Sequence, residues 1–229
     1  MQPYLFPYIG YFQLINSVDK FVIYDDVAYI KQGWINRNRI LLGKKPFLFT
    51  VPVANASSSK KIKDTFLNEK TFSTWRGRFY KTIEMAYKRA PYYENVLPLI
   101  REVLDKEVKS IAELCRNSIV KIITYLGIQT EIVVSSVIYK NDNLKSSERV
   151  IDICLKENAT SYINAPGGSS LYNKRDFSKY NVNLKFLISG SIFYRQFEND
   201  FVPALSIIDV MMFNSTEVIS GMLNDYTLE

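Results

Sequence analysis

Two adjacent carboxylates, Asp25 and Asp26, directly follow an apolar, β-branched run at residues 21–24. Such a run predicts a buried strand, and ligands of open α/β sheets gather beyond the carboxyl ends of the strands. A carboxylate there can act as a general base, and two carboxylates without histidine suit Mg²⁺ better than zinc. The alternative is structural, because the same pair could cap the turn that follows.

A second group of polar residues lies in the segment after the acidic pair, which the sequence predicts to be a loop. Arg37 offers bidentate binding of phosphate or carboxylate, while Asn36 and Asn38 offer amide groups to sugar hydroxyls. Lys31 adds another cation. Because these residues surround Trp34, we interpret the segment as a recognition loop that binds substrate.

The residues that precede the predicted strand are rich in tyrosine, proline and glycine. Apolar residues at helical spacing predict a helix over residues 8–18. The turn into this helix carries Gln2 and Tyr4, and such a turn directs backbone N–H groups at an anion. We therefore predict that Gln2 and Tyr4 bind substrate and that Tyr11 takes part in catalysis. The alternative is that the tyrosines of this segment only pack.

A glycine pair provides the last candidate site. Residues 160–165 predict a strand, and Asn164 stands near its carboxyl end, just before Pro166, Gly167 and Gly168. A turn of this composition at a helix start frees backbone N–H groups for an anion. We predict substrate contacts from Asn164, Gly167 and Gly168, although a tight strand-to-helix connection would use the same residues.

The composition removes several classes of chemistry. The chain of 229 residues contains no histidine, which excludes triads that use imidazole as the base and removes the commonest zinc ligand. The net charge of +6 is compatible with a polyanionic partner. Cys115 and Cys154 lie in apolar helical patterns and are expected to be buried thiols, which suits a cytoplasmic protein. No apolar run is long enough to predict a membrane span.

The order of the elements predicts an α/β fold: a mostly parallel sheet flanked by helices, with an inserted all-helical segment. Strand and helix patterns alternate in residues 1–68 and 128–229, which we take as the α/β core of a single domain. Residues 69–127 contain only helical patterns. Within this insertion, Ser110 and Glu113 have the spacing of a capping box.

Several stretches of the chain resemble the WbqC-like family, whose members come from bacterial surface-polysaccharide clusters. The resemblance rests on QPYLFPYIGYFQLI, VDKFVIYDDVAYIKQGWINRNRI, APYY, SYINAPGG and LSIIDVMMFN, and it covers essentially the whole chain. Family members usually have strand-forming residues before the Gln-Pro pair. The resemblance therefore implies a first strand at that place.

The resemblance also implies a function. Family members are associated with amino-acid (glycyl-type) or acyl transfer to the amine of an amino-sugar in O-antigen synthesis. On that basis, Asp25 or Asp26 would deprotonate the attacking ammonium, and Arg37 or Lys31 would hold the phosphate of a nucleotide-sugar or another phosphorylated substrate. Aminoacyl-tRNA, a carrier-protein thioester and an acyl adenylate all remain open as donors.

Two other functions stay open. One is a nucleotidyltransferase-like enzyme that activates its substrate with a nucleotide and Mg²⁺, because a strand, a Pro-x-x-Gly-Tyr loop, a helix and an apolar strand follow one another. The other is a non-catalytic sugar- or nucleotide-binding protein. No nucleic-acid-binding motif is recognisable, so nucleic acid enters these expectations only as a tRNA donor.

Overall fold

The structure is a computed structural model that describes residues 1–198 and 200–229. Within those residues the chain forms eight α-helices and seven β-strands. The helices are α1 (Ile9–Asn16), α2 (Glu69–Tyr87), α3 (Tyr93–Asp105), α4 (Ile111–Tyr125), α5 (Ser146–Lys156), α6 (Lys174–Ser178), α7 (Ile207–Phe213) and α8 (Thr216–Leu223). The strands are β1 (Lys20–Val22), β2 (Arg37–Leu42), β3 (Lys45–Thr50), β4 (Glu131–Val133), β5 (Ser161–Asn164), β6 (Asn183–Ser189) and β7 (Tyr226–Leu228).

The strands divide among three small sheets, so the predicted single, mostly parallel sheet is not what the chain forms. β1 pairs with β4 in parallel, β2 with β3 antiparallel, and β6 lies between parallel β5 and antiparallel β7. The α/β character is present in the two parallel pairs and the helices around them. The sheets stay small because β1 and β4 have three residues each, and β2 pairs locally with the strand that follows it.

β2 and β3 form a hairpin, which corrects the last part of the loop predicted for residues 29–39: residues 37–39 belong to β2, whereas Asn36 lies outside the strand. Gly43 and Lys44 both have positive φ, the backbone of a two-residue turn that matches the twist of the strands. Arg37, Asn38 and Arg39 are consequently strand residues. Their side chains alternate between the two faces of the hairpin.

Helices α2, α3 and α4 occupy the segment for which the sequence predicts only helices. The capping box of α4 is confirmed, because Ser110 accepts from the N–H of Glu113 and the Glu113 carboxylate accepts from the N–H of Ser110. Both cysteines are confirmed as buried free thiols. A large core joins side chains of these helices to those of α1, β1, β2 and α7, and a smaller core lies between α5, α6 and β6.

The main chain of Met1 continues the parallel arrangement on the free edge of β1. Its N–H group donates to the Val22 carbonyl oxygen (2.6 Å), and its carbonyl oxygen accepts from the Tyr24 N–H (2.8 Å). This is the bonding pattern of parallel neighbours. The residues that follow Met1, Val22 and Val133 therefore emerge at the same edge.

Hydrogen bonds from distant parts of the chain fix the loop at residues 2–8. Phe6 has a φ of +43°, a conformation that bulky residues rarely adopt. Its N–H donates to the Ser118 hydroxyl (3.1 Å), and its carbonyl oxygen accepts from the Asn38 amide and the Ser206 hydroxyl (both 2.7 Å). This surrounding network holds the strained residue in place, as expected where the backbone is pre-organised.

Candidate functional site

Asp25 lies beyond the carboxyl end of β1 and is 5% exposed. Its Oδ1 accepts hydrogen bonds from the Ser135 hydroxyl (2.7 Å) and from the Ser136 N–H (3.2 Å), both just past β4. Burial raises the pKa of Asp25, and the hydrogen bond from Ser135 opposes that rise. None of the described residues forms an ion pair with this carboxylate.

Asp26 is equally buried but has a cationic partner. Its Oδ2 lies 2.5 Å from Nη2 of Arg149, itself 4% exposed, and its Oδ1 accepts from the Ser136 hydroxyl. The Arg149 Nε donates to the Asn141 side-chain oxygen at 3.0 Å. Two adjacent carboxylates thus have different surroundings: one has only neutral donors and the other is neutralised by arginine.

Aromatic residues extend this group toward β5. The Arg149 guanidinium lies 4.9 Å from the ring centre of Tyr24. Burial raises the pKa of Tyr24; Arg149 opposes the rise, whereas the nearby Tyr172 hydroxyl adds to it. Tyr172 also contacts Tyr162 edge to face and lines an open depression of about 470 Å³, formed by residues 169–174 and Asp176.

The start of α1 meets the loop after β5 at a small cavity of about 80 Å³. Tyr8, Gly10, Ala165 and Pro166 line it. Tyr8 precedes the helix without a side-chain cap, and no acidic residue lies in the first turn. A Cβ at Gly10 would collide with the Tyr8 ring, so only glycine lets this ring lie against the helix. The electropositive start of the helix is therefore close to the cavity.

The predicted contacts after β5 form a compact turn. Asn164 accepts from the N–H of Ala165 through its side chain, and its amide lies where a Cβ of Gly168 would be. Gly168 is buried, while Gly167 is exposed with open space around its Cα. Gly167 is thus the residue of this turn that can approach a ligand without rearrangement.

The predicted residues of the N-terminal segment occupy different depths. Tyr11 is fully buried and donates its hydroxyl hydrogen to the Gln2 carbonyl oxygen at 3.0 Å, and burial raises its pKa far above the usual value. Tyr4 and Gln2 are partly exposed, and the Tyr4 ring lies 5.7 Å from that of Tyr11. Tyr11 thus supports the residues that reach the surface.

Asn36, just before β2, and Asn38, within it, are buried and bind the backbone. Asn36 accepts from the Tyr29 hydroxyl and donates to the Val51 carbonyl oxygen (both 2.7 Å), and Asn38 donates to Phe6. Arg37, in contrast, faces outward on the same strand. An exposed loop carries Lys31. The structure therefore places this group on the β2–β3 hairpin and on the loop that precedes it, whereas the carboxylates lie at the end of β1.

Three residues that contact Asp25 or Asp26 were not identified from the sequence: Ser135, Ser136 and Arg149. The two serines end the run at residues 131–136, which predicts a strand. Ligands gather beyond the carboxyl ends of strands, so the expectation that identifies Asp25 applies to the serines too. Arg149 stands four residues before Ile153, on the apolar stripe of α5, where a charge without a partner is unfavourable. That position is a signal for a buried ion pair, but it does not identify the partner.

Two properties of the described residues bear on cofactors and membranes. Within residues 1–198 and 200–229, no group of three or more His, Cys, Asp or Glu side chains is arranged to hold a metal ion. Over the same residues, none of the helices combines the length and apolar character that crossing a membrane needs.

The fold and the site together define an α/β protein whose polar groups gather at the carboxyl ends of two parallel strand pairs. The chain belongs to the WbqC-like protein family, whose sequence pattern matches residues 2–220. This confirms the resemblance seen in the sequence. An uncharacterized protein of Mycobacterium tuberculosis is 31% identical over 208 residues, which span 90% of this chain and 88% of the relative. No solved structure matches the chain.

Proposed function

We propose that this protein is a transferase that attaches an aminoacyl or acyl group to the amine of an amino-sugar carried on a nucleotide or another phosphorylated carrier. The observation that supports this most is the contrast between Asp25 and Asp26. Two carboxylates in different environments can hold their protons differently, which separates a general base from a fixed anion. The family resemblance implies surface-polysaccharide synthesis as the setting for such a transferase.

In this proposal Asp25 is the general base. The amino-sugar nitrogen must lose a proton to become nucleophilic, and a base is most effective when its pKa lies near the working pH. Burial moves the pKa of Asp25 upward, in that direction. Asp26 forms an ion pair with Arg149, which fixes the position of α5 relative to β1.

The reaction balances without a further reactant. Asp25 takes a proton from the sugar ammonium group, and the nitrogen lone pair then forms a bond to the carbonyl carbon of the donor. The bond from this carbon to the leaving group of the donor breaks, and the leaving group departs with the electron pair. The second proton lost by the nitrogen passes to the leaving group, so the products are an amide and the protonated leaving group. The donor is an activated carboxylic acid, as an ester, thioester or acyl phosphate.

The depression beside Tyr172 and the small cavity at the start of α1 both offer places for the sugar substrate. The depression beside Tyr172 presents polar groups of Ser169, Ser170 and Asn173, which suit sugar hydroxyls. The start of α1, with Gln2 and Tyr4 nearby, and the open backbone at Gly167 offer hydrogen-bonding groups to the sugar. Asp25 is buried, so productive binding requires displacement of the residues that cover it.

The test compares Asp25→Asn with Asp19→Asn. Asp19 is exposed and stands at the opposite end of the same strand, so its substitution controls for a lost charge near β1. Nucleotide-linked amino-sugars that raise the melting temperature would first be selected, and transfer to them from ester and thioester donors would be measured. We expect Asp25→Asn to slow transfer by about 10²–10⁴-fold and Asp19→Asn to leave it unchanged.

Three results would overturn the proposal. Full transfer activity in folded Asp25→Asn would remove the base. Stabilisation that appears only with a nucleotide and Mg²⁺ together, followed by release of pyrophosphate, would identify a nucleotidyltransferase instead. Tight sugar binding without turnover by any donor would identify a binding protein.

A further inference from the structure

Two arginines on the outer face of the β2–β3 hairpin have no acidic partner. Arg37 and Arg39 alternate with buried asparagines along β2, so both point to the same face. No described carboxylate lies within ion-pair distance of either one. The Nε atom of each is buried and lacks an acceptor among the described residues. The Nε–H of each guanidinium group has therefore lost water without gaining an acceptor.

An exposed tryptophan holds these two guanidinium groups in place. The Arg37 and Arg39 guanidinium carbons lie 5.5 and 5.3 Å from the ring centre of Trp34, which is 41% exposed. Arg39 is further held by a 3.4 Å hydrogen bond to the Ala204 carbonyl oxygen. The ring attracts both cations through its negative face, which partly offsets their mutual repulsion.

The strand beneath the arginines is firmly anchored. Asn36 and Asn38 bind main-chain atoms of Val51 and Phe6, which fixes the backbone on either side of Arg37. A pair of guanidinium groups held in this way loses little freedom when an anion binds. Their forked N–H groups match the oxygen atoms of phosphate, which can accept from both arginines at once.

We propose that Arg37, Arg39 and Trp34 form a binding site for the phosphate groups of a nucleotide. This deepens the proposed function, on which it rests only for the identity of the substrate that carries the phosphate. The site lies on the hairpin and is separate from the Asp25 group. A diphosphate suits it better than a single carboxylate, because two cations require more than one negative charge for neutralisation. The exposed part of the Trp34 ring is available to the base of the nucleotide.

The fluorescence of Trp34 provides a direct assay. The chain has two tryptophans, and Trp75→Phe leaves Trp34 as the only one; Trp75 stacks between Phe72 and Phe79, where phenylalanine is a conservative replacement. The Trp75→Phe protein would be titrated with inorganic pyrophosphate, ADP and adenosine at two salt concentrations. We expect pyrophosphate and ADP to change the emission with saturation, more weakly at high salt, and adenosine to have no effect.

Comparison of the three ligands distinguishes a nucleotide from inorganic pyrophosphate as the source of the phosphate groups. Tighter binding of ADP than of pyrophosphate would mean that the base contacts Trp34, as expected for a nucleotide. Equal affinity, or tighter binding of pyrophosphate, would contradict the nucleotide part of the proposal. Binding of adenosine as tight as that of ADP would contradict the phosphate part.

Substitutions then assign the binding to these residues. We expect Arg37→Ala and Arg39→Ala each to weaken ADP binding by about tenfold or more, and Arg37→Lys to weaken it less, because lysine keeps the charge but not the fork. Arg78→Ala, on the exposed face of α2, is the matched control and should bind as the parent does. Equal binding by all four variants, with the fold intact, would overturn the site.

One further variant separates this inference from the proposed function. Asp25→Asn should bind ADP as tightly as the parent, because Asp25 is not part of the hairpin face. Loss of binding in Asp25→Asn would contradict a separate site. If ADP does not bind at all, the phosphate site is wrong, while the role of Asp25 is still decided by the transfer assay alone.

Discussion

Among the described residues, buried carboxylates lie in two places, and the groups that surround them differ between the two. At the end of β1, Asp26 is paired with Arg149 and Asp25 accepts from serines. Near α2, Asp209 of α7 is fully buried and accepts from neutral donors: the hydroxyls of Tyr87 (2.7 Å) and Tyr194 (2.6 Å) and the Gln196 amide (2.7 Å). Both places satisfy the carboxylate oxygens, yet only one supplies a cation.

This difference separates two uses of a buried acid. Asp209 joins α2, α7 and the segment around Tyr194, and burial raises its pKa while the hydrogen bonds of its three donors oppose that rise. Its three donors are themselves buried, so its role is to hold elements together. The strand-end pair combines an arginine-bound anion with a second carboxylate whose pKa is raised, which is an arrangement suited to proton transfer.

The largest expected effect comes from removal of the cation at the strand end. Arg149→Met leaves Asp26 buried without its counter-charge, so we expect the free energy of unfolding to fall by about 3–5 kcal/mol. Denaturant unfolding measures this. Asp26→Asn added to Arg149→Met should recover part of the loss, because it removes the unpaired charge. A loss below about 1 kcal/mol would mean that the ion pair does not distinguish the two places.

A smaller effect is expected at the carboxylate without a cation. Asp209→Asn replaces one acceptor oxygen by a donor that faces the hydroxyl of Tyr87 or Tyr194, so we expect a loss of about 1–3 kcal/mol. Asp19→Asn, at an exposed position, should change stability by less than about 0.5 kcal/mol and serves as the control. If Asp209→Asn proved more damaging than Arg149→Met, the comparison would be reversed.

The pH dependence of this variant gives a signed test. Because the folded-state pKa of Asp209 is raised above the usual 3.8, the folded state holds the proton more tightly than the unfolded chain does. The stabilisation from that proton is complete below pH 3.8 and is lost as the pH rises through the folded-state pKa. The stability of the wild type relative to Asp209→Asn should therefore increase as the pH falls from 7 toward 4. A constant difference would show that Asp209 does not titrate in that range.

The smallest effect concerns the hydroxyl that binds Asp25. Ser135→Ala removes a partly exposed hydrogen bond and should lower stability by about 0.5–1.5 kcal/mol. Because that bond opposes the rise in the pKa of Asp25, its loss should move the acid limb of the transfer rate to higher pH. Ser136→Ala, which affects both carboxylates, should be more destabilising. An unchanged pH profile in Ser135→Ala would argue against Asp25 as the base.

Some helices could be predicted because the sequence signals that specify them are local. The apolar spacing of residues 8–18 and the Ser110–Glu113 pair act within a few residues, so the sequence identifies α1 and the start of α4. The sheets were predicted less well. Whether β2 joins a large sheet or folds back on β3 depends on Lys44 with positive φ, an unusual conformation for lysine that its neighbours do not reveal.

The candidate site shows the same limit. Asp25 could be identified because it follows a strand, a property of the adjacent sequence. Its surroundings could not, because Ser135 and Ser136 lie 110 and 111 residues away in the chain and are brought to it by the pairing of β1 with β4. The environment of the carboxylate, and hence its proton affinity, is a property of that pairing.

The bonds that hold the Phe6 loop have a consequence for synthesis on the ribosome. The Phe6 carbonyl oxygen binds Ser206, 200 residues later, and Gln13 donates to the carbonyl oxygens of Met222 and Asp225. At about 5–20 residues per second, the ribosome needs roughly 10–40 s to make the chain between Phe6 and Ser206. The segment around Phe6 therefore emerges well before the residues that bind it, and its apolar residues need shielding from aggregation during that interval.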